Sequence, residues 1–253
     1  MKKTLVLILA MFIATGMTAQ RRDAGEWSVI PKVGVNLSRL NNDKLWIGES
    51  GVDEYINSSY KPGYEAGVDL EYMVSDRIGV TVGAMYAMQS EKFKDYHTTE
   101  KVAGSDNLLK FEKFENIREN FGFLNVPIKV SYYLTDNIAL KAGVQLGFML
   151  SAKSKGNTVA GLYDKKNPNN IIYYDANGNP AEEGSQVYLS WDQDAKATYH
   201  HFDMSIPMGI SYEYENVILD AQYRIGLKDL AATYGSSIRT SVFSLTVGYR
   251  LRL

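Results

Sequence analysis

No cysteine occurs in the 253 residues, which excludes disulfide staples, thiolate metal centres and a cysteine-linked lipid anchor. An excess of one charge is missing too: 27 Lys and Arg against 29 Asp and Glu leave a net charge of -2 and a pI near 6.0. Nucleic acid and anionic membrane surfaces call for concentrated basic side chains, so nucleic acid is not expected as a partner. Apolar runs of bilayer length are absent as well. The longest, residues 5–14 within MKKTLVLILAMFIATGMTAQ, falls short of the about 20 residues a spanning helix needs. Lys2 and Lys3 before it and small or polar residues after it mark 1–20 as a cleaved secretory signal peptide, with 21–253 as the mature domain. Beyond residue 26, no long segment repeats its apolar residues with helical spacing.

Period-two alternation is what the chain has instead, and the stretch AGVDLEY at 66–72 shows it without a miss. The pattern predicts an all-β domain with strands at 27–38, 63–73, 78–90, 121–134, 138–151, 202–214, 217–227 and 241–253. Each exceeds the usual five or six residues. Connections alternate between tight turns (74–77, 135–137, 215–216) and long loops (39–62, 91–120, 152–201, 228–240). This arrangement predicts an eight-stranded antiparallel up-and-down transmembrane β-barrel with short periplasmic turns and long extracellular loops.

The two strand faces differ in kind. One is uncharged, with rows such as Val68, Leu70, Tyr72 and Phe243, Leu245, Val247, Tyr249. The other carries the strand charges together with Gly34, Gly67, Gly79, Gly83, Gly143, Gly147, Gly209, Gly226 and Gly248. Small side chains suit the crowded inside of a small barrel, so the carboxylates of Asp69 and Glu71 are expected to point inward and the apolar face to meet lipid. A soluble lipocalin-like barrel would need the opposite arrangement. Buried charges must be paired. The charges nearest the short turns are Lys32, Asp69, Glu71, Lys141, Glu213, Asp220, Arg250 and Arg252, four of each sign, and they are expected to form one ion-pair plug. Trp27, Tyr72, Tyr132, Tyr212 and Tyr249 fall at one level and Tyr64, Tyr86, Phe148 and Phe243 at another, as interface girdles do. Pro31, Pro127 and Pro207 fall inside strands, where bulges or lost hydrogen bonds are expected.

The segments PKVGVNLSRL, GYEAGVDLEYMVSDRIGVTVGAMYA, FLNVPIKVSYYLTDNIALKAGVQLGFMLSAK and YENVILDAQYRIGLKDL resemble the outer-membrane β-barrel proteins of Bacteroidetes called PorT-like. The likeness covers nearly the whole mature chain and is most specific around Lys32, Gly34, Asn36 and Ser38 and at Asn125, Val126 and Pro127. It implies an eight-stranded barrel in the outer membrane, surrounded by outer-membrane lipid and lipopolysaccharide, and assigns no activity.

Residues with catalytic or metal-binding chemistry are few. His97, His200 and His201 lie in or beside long loops, and no metal or cofactor is expected. His201, Asp203 and Ser205 have a spacing that permits a relay, which makes a rim hydrolase the least favoured reading. In the loop at 152–201, Asn177-Gly178 predicts a projecting hairpin. Asp175, Asn177 and Asn179 mimic a calcium loop, but Gln186 stands where a bidentate Glu belongs. Tyr173, Tyr174, Tyr188 and Trp191 either offer stacking faces to a glycan or envelope-protein partner or pack that hairpin. The expected function is non-enzymatic: a monomeric outer-membrane barrel of structural or interaction type, with an occluded polar interior and contact loops. The alternative is a small-solute pore or a transport or secretion accessory.

Overall fold

The computed structural model describes residues 23–44, 58–104, 107–164, 166–174, 179–181, 189–232 and 237–253. The expected signal peptide and the Asn177-Gly178 turn lie outside the described residues. Among the described residues, thirteen antiparallel strands form one sheet in place of the expected eight. They are β1 (Trp27–Lys44), β2 (Ser58–Ser75), β3 (Ile78–Phe93), β4 (Tyr96–Lys101), β5 (Leu108–Tyr133), β6 (Ile138–Asp164), β7 (Asn167–Tyr174), β8 (Pro180–Ala181), β9 (Leu189–Asp194), β10 (Phe202–Tyr214), β11 (Val217–Gly226), β12 (Ser237–Tyr249) and β13 (Leu251–Arg252). A 3-10 turn, η1 (Lys196–Thr198), precedes β10.

The eight strands read from the sequence correspond to β1, β2, β3, β5, β6, β10, β11 and β12 with β13. Each pairs with the next, and the pairings of β5 with β6 and of β12 with β1 bring the series back to its start. Alternation decides which side of this ring each residue takes. Along β12, Phe243, Leu245, Val247 and Tyr249 are exposed, whereas Ser244, Thr246 and Gly248 are buried. Val33, Val68, Leu70, Val82, Leu140 and Val144 continue the exposed apolar face around the ring. Burying an apolar group is worth roughly 25 cal/mol per Å², so an uninterrupted apolar band facing outward requires an apolar medium around it. Trp27 lies in register with Tyr72, their ring centroids 4.7 Å apart, while Tyr64 and Tyr86 sit 6.4 Å apart at the opposite level.

The prolines act without bulges. Lys32 pairs with Gly248 and Val29 with Leu251, leaving a gap at Ile30 and Pro31. Pairing of β5 with β3 skips Val126 and Pro127, and pairing of β10 with β6 skips Ile206 and Pro207. On the other side of each proline the ladder runs through unbroken, and no register shift occurs at any of the three gaps. A missing N–H therefore costs local bonds on one side only.

Of the long loops read from the sequence, 91–120 and 152–201 are largely strand among the described residues. β5 and β6 extend together to the pair Leu108 and Asp164, with β4 added to β5, and with β7 and β9 added to β6. A period-two search misses the β5 extension because Phe111, Phe114 and Ile117 are spaced by three. A register shift between Glu115 and Arg118, with Asn116 at φ 54°, absorbs the extra residue. Asp95 Oδ1 accepts a hydrogen bond from the Asn116 N–H at 2.9 Å and fixes the bulge.

Candidate functional site

The inside of the ring is layered. Nearest the short turns, the Lys32 ammonium hydrogen-bonds Asp69, and Lys129 Nζ reaches the same carboxylate oxygen at 3.1 Å. Lys141 Nζ lies 3.1 Å from Asp220 Oδ2. Arg250 donates to Glu71 at 2.7 Å and, through Nε and Nη2, to both oxygens of Glu213 at 2.8 and 3.0 Å. Tyr133 donates its hydroxyl to Glu71 at 2.9 Å and accepts from Arg250 at 3.0 Å. Asp220 also feels the charges of Lys129 and Lys32, and Glu71 that of Lys141, so the pairs form one electrostatic unit.

Two residues differ from the sequence reading. Arg252 does not join the unit: its side chain is 35% exposed and pairs with Glu26 at 3.1 Å. It lies beyond Tyr249, the last residue of β12 to pair with β11, so no neighbouring strand walls it in on that side. Lys129 takes its place, and Lys32, Lys129, Lys141 and Arg250 now balance Asp69, Glu71, Glu213 and Asp220. Lys129 shares strand parity with Ser131 and Tyr133, so alternation along β5 already assigns it to the buried face. Above this layer, Arg224 Nη2 pairs with Glu65 Oε2 at 2.6 Å, again with both groups buried.

An apolar layer follows, built from Leu40, Phe121, Phe123, Met149, Ala152, Ala195, Tyr199, Leu230 and Ile238. Two connecting segments supply its lid. The Leu230 carbonyl accepts from the His200 N–H at 2.8 Å, Ala232 N–H donates to Thr198 at 3.2 Å, and Tyr199 bridges Ala231. The strand pattern gives no sign of this lid, because Leu230 lies in a connection without alternation and η1 is too short to show a period.

Beside the lid, farther from the short turns than the Tyr64–Tyr86 level, lies a cavity of about 310 Å³ lined by Phe93, Tyr96, Phe114, Ile117, Glu119, Ser154, Trp191, Gln193 and Tyr199. Tyr96 and Phe114 stack at 4.9 Å, Trp191 meets Phe114 edge-on at 6.1 Å, and the Trp191 indole N–H donates to Ser154 Oγ at 3.3 Å. Tyr199 donates its hydroxyl to Glu119. Burial pushes the Glu119 carboxyl up to about 7, opposed by the Tyr199 bond. Glu91, in register with Glu119, is driven well above the usual carboxylate range by burial and by the Glu119 charge, while Arg39 acts in the opposite direction. Burial and Glu119 raise the Tyr96 and Tyr199 hydroxyls in turn.

Of the four loop aromatics singled out in the sequence, Trp191 lines this cavity. Tyr173 meets Phe111 edge-on at 5.9 Å instead. Tyr188 and the Tyr174 side chain lie outside the described residues. The His201 relay is not assembled: its Nε2 lies 3.2 Å from the Lys196 carbonyl, while Asp203 accepts from Thr240 at 3.0 Å.

An antiparallel all-β ring with a paired polar interior and an apolar outer face defines an outer-membrane-type β-barrel architecture. Residues 18–232 match the family described as outer membrane protein beta-barrel domain, and the chain belongs to that family. Among solved structures it is similar to Ail, the attachment invasion locus protein of Yersinia pestis, at 14% identity and TM-score 0.38, covering 90% of this chain and 99% of that one. Neisserial surface protein A is similar at 12% identity and TM-score 0.37, covering 89% and 97%. The outer membrane protease OmpT from Escherichia coli is similar at 10% identity and TM-score 0.33, covering 96% and 100%. No curated protein matches the sequence.

Proposed function

We propose that the chain is a monomeric eight-stranded transmembrane β-barrel of the outer membrane, of the PorT-like kind its sequence resembles. In this reading the barrel is a sealed anchor, with its short turns in the periplasm and the extensions of β3 to β9 outside the cell as a contact module. The supporting observation is the filled interior: a neutral set of buried ion pairs below, and an apolar layer closed by Tyr199 and Leu230 above. Eight strands enclose an interior just wide enough for side chains, so the barrel anchors and does not conduct. Lipid and lipopolysaccharide surround it, and an envelope protein or glycan is the partner of the extensions.

Two measurements test this reading. Gel mobility of the detergent-folded protein should shift on boiling, because a closed barrel runs as a compact species until heated. In planar bilayers the folded protein should show no conductance steps. Steady conductance would favour the pore reading, and recovery in the soluble periplasmic fraction with no heat shift would remove the barrel itself.

A further inference from the structure

Glu91 and Glu119 stand directly opposite each other across β3 and β5, and like charges so placed destabilise a strand pair. Among the described residues, the hydrogen bond that reaches Glu119 is the one from the Tyr199 hydroxyl. Glu91 is 2% exposed, and its Oε2 has no hydrogen-bond partner. Arg39 acts on Glu91 at a distance, but its guanidinium lies over the Tyr60 ring at 4.9 Å. No lysine or arginine forms an ion pair with either carboxyl among the described residues. Such a pair needs a proton or a cation from outside.

The cavity onto which Glu119 opens is suited to supply one. Phe93, Tyr96, Phe114, Trp191 and Tyr199 wall it, and the ring contacts and the Trp191 to Ser154 bond hold those walls in position. Aromatic faces attract cations through the ring quadrupole, and desolvation strengthens the attraction. A small hard metal ion would want several carboxylate or carbonyl ligands, but Glu119 is the one carboxylate lining the cavity and no cluster of three acidic or histidine ligands occurs among the described residues. A neutral sugar could stack on the same rings but would leave the carboxyls uncompensated. The volume of about 310 Å³ lies at the lower end of the small-molecule range of roughly 300–1,000 Å³.

We propose that this cavity is a binding site for an organic ammonium group, seated against Trp191 with its charge met by the Glu119 carboxylate. Glu91 stands behind it, in register with Glu119, and exposed Gln193 stands at the lip. The groups facing this pair are Tyr96 from β4, Tyr199 beside η1, Tyr60 of β2 in register with Glu91 and, more distantly, Arg39 from β1. Because Glu119 holds a proton up to about pH 7, binding below that pH releases a proton and is weaker. The inference rests on the outward orientation proposed above only for the route by which a ligand arrives.

The test is calorimetric titration of the detergent-folded full chain with choline and, separately, with 3,3-dimethylbutan-1-ol, its uncharged isostere. Saturable binding of choline is expected, about tenfold or more tighter than the alcohol, given the stabilisation of cations over desolvated rings, and tighter at pH 8 than at pH 6. Glu119→Gln and Trp191→Leu should each weaken choline binding at least about tenfold while keeping the heat-dependent gel shift, and Glu119→Gln should also flatten the pH dependence. Absence of saturable choline binding up to high millimolar concentration overturns the inference, as does equal affinity for the alcohol. So does binding of N-acetylglucosamine where choline is silent. A protein that keeps its gel shift and ignores choline loses this inference alone; loss of the shift removes the barrel reading instead.

Discussion

Arg250 bridges Glu71 and Glu213, its Nη1 2.7 Å from one carboxylate and its Nε 2.8 Å from the other. The planar guanidinium meets both oxygens of Glu213 and one of Glu71 in a single fixed fork, a geometry that an ammonium does not reproduce. Arg250→Ala leaves both buried carboxylates uncompensated, and the expected loss is about 3–5 kcal/mol. Arg250→Lys should fall between the alanine variant and the parent. Urea titration of the detergent-folded proteins gives the order, and an alanine variant as stable as the parent would contradict a stabilising network.

Two seals in series predict that neither alone controls permeability. Arg250→Ala, which loosens the charge layer, should remain silent in planar bilayers. Tyr199→Ala combined with Leu230→Gly, which opens the apolar lid, should also remain silent. Only the combination of all three should conduct, with retention of the heat-dependent gel shift as the check on folding. Conductance from either partial variant would mean that one layer is the whole barrier.

The opposed acids on β3 and β5 make the strand extension beyond the Tyr64–Tyr86 level sensitive to pH. The Glu119 carboxyl is raised from 4.5 to about 7 in the fold, so the folded state holds a proton that the unfolded chain has lost. Its contribution is fully present below pH 4.5 and is lost as the pH rises through about 7. Amide exchange around Glu91 and Glu119, corrected for intrinsic rate, should therefore show weaker protection at pH 8 than at pH 6. Glu119→Gln should erase the difference. Stronger protection at pH 8 would contradict the sign.

Close approach of strands makes some glycines irreplaceable and others tolerant. A Cβ at Gly143 would run into the Ile128 carbonyl oxygen and sit 2.7 Å from the Lys129 Cα, both backbone atoms of β5. A Cβ at Gly79 would sit 3.2 Å from Glu71 Cδ and Met73 Sδ, side-chain atoms that need give by only a few tenths of an ångström. Gly143→Ala should lower the urea midpoint markedly and Gly79→Ala only slightly. Equal effects would mean that β5 and β6 are free to separate.

Much of the ring was legible because alternation and turn chemistry agree along it. Val247 and Thr246 differ in chemistry and take opposite faces, and Glu215-Asn216 closes its hairpin with Glu215 at φ 53°. The charge layer was legible in kind, since parity assigns Lys32, Asp69, Lys141 and Asp220 to one face. Membership at its edge depends on which neighbours wall a position in, and this is why Arg252 leaves it and Lys129 enters. The outer half was not legible. The bulge at Asn116 breaks the period that marks β5, and Leu230 and Tyr199 meet only because two connections hydrogen-bond each other. Trp191 was visible as an aromatic in a loop, but the cavity it lines depends on β9 pairing with β6.

The central claim is that Phe243, Leu245, Val247 and Tyr249 of β12 face lipid and that Ser244, Thr246 and Gly248 face a sealed interior. The absence of cysteine makes single-cysteine spin labelling direct. Labels at 243–249 in bilayer-reconstituted protein can be scored for collision with oxygen, which concentrates in lipid, and with a water-soluble nickel chelate. The account predicts strong oxygen contact at Phe243, Leu245, Val247 and Tyr249, and little contact with either reagent at Ser244, Thr246 and Gly248. Chelate contact at Val247, or oxygen contact at Thr246 matching that at Val247, would contradict it.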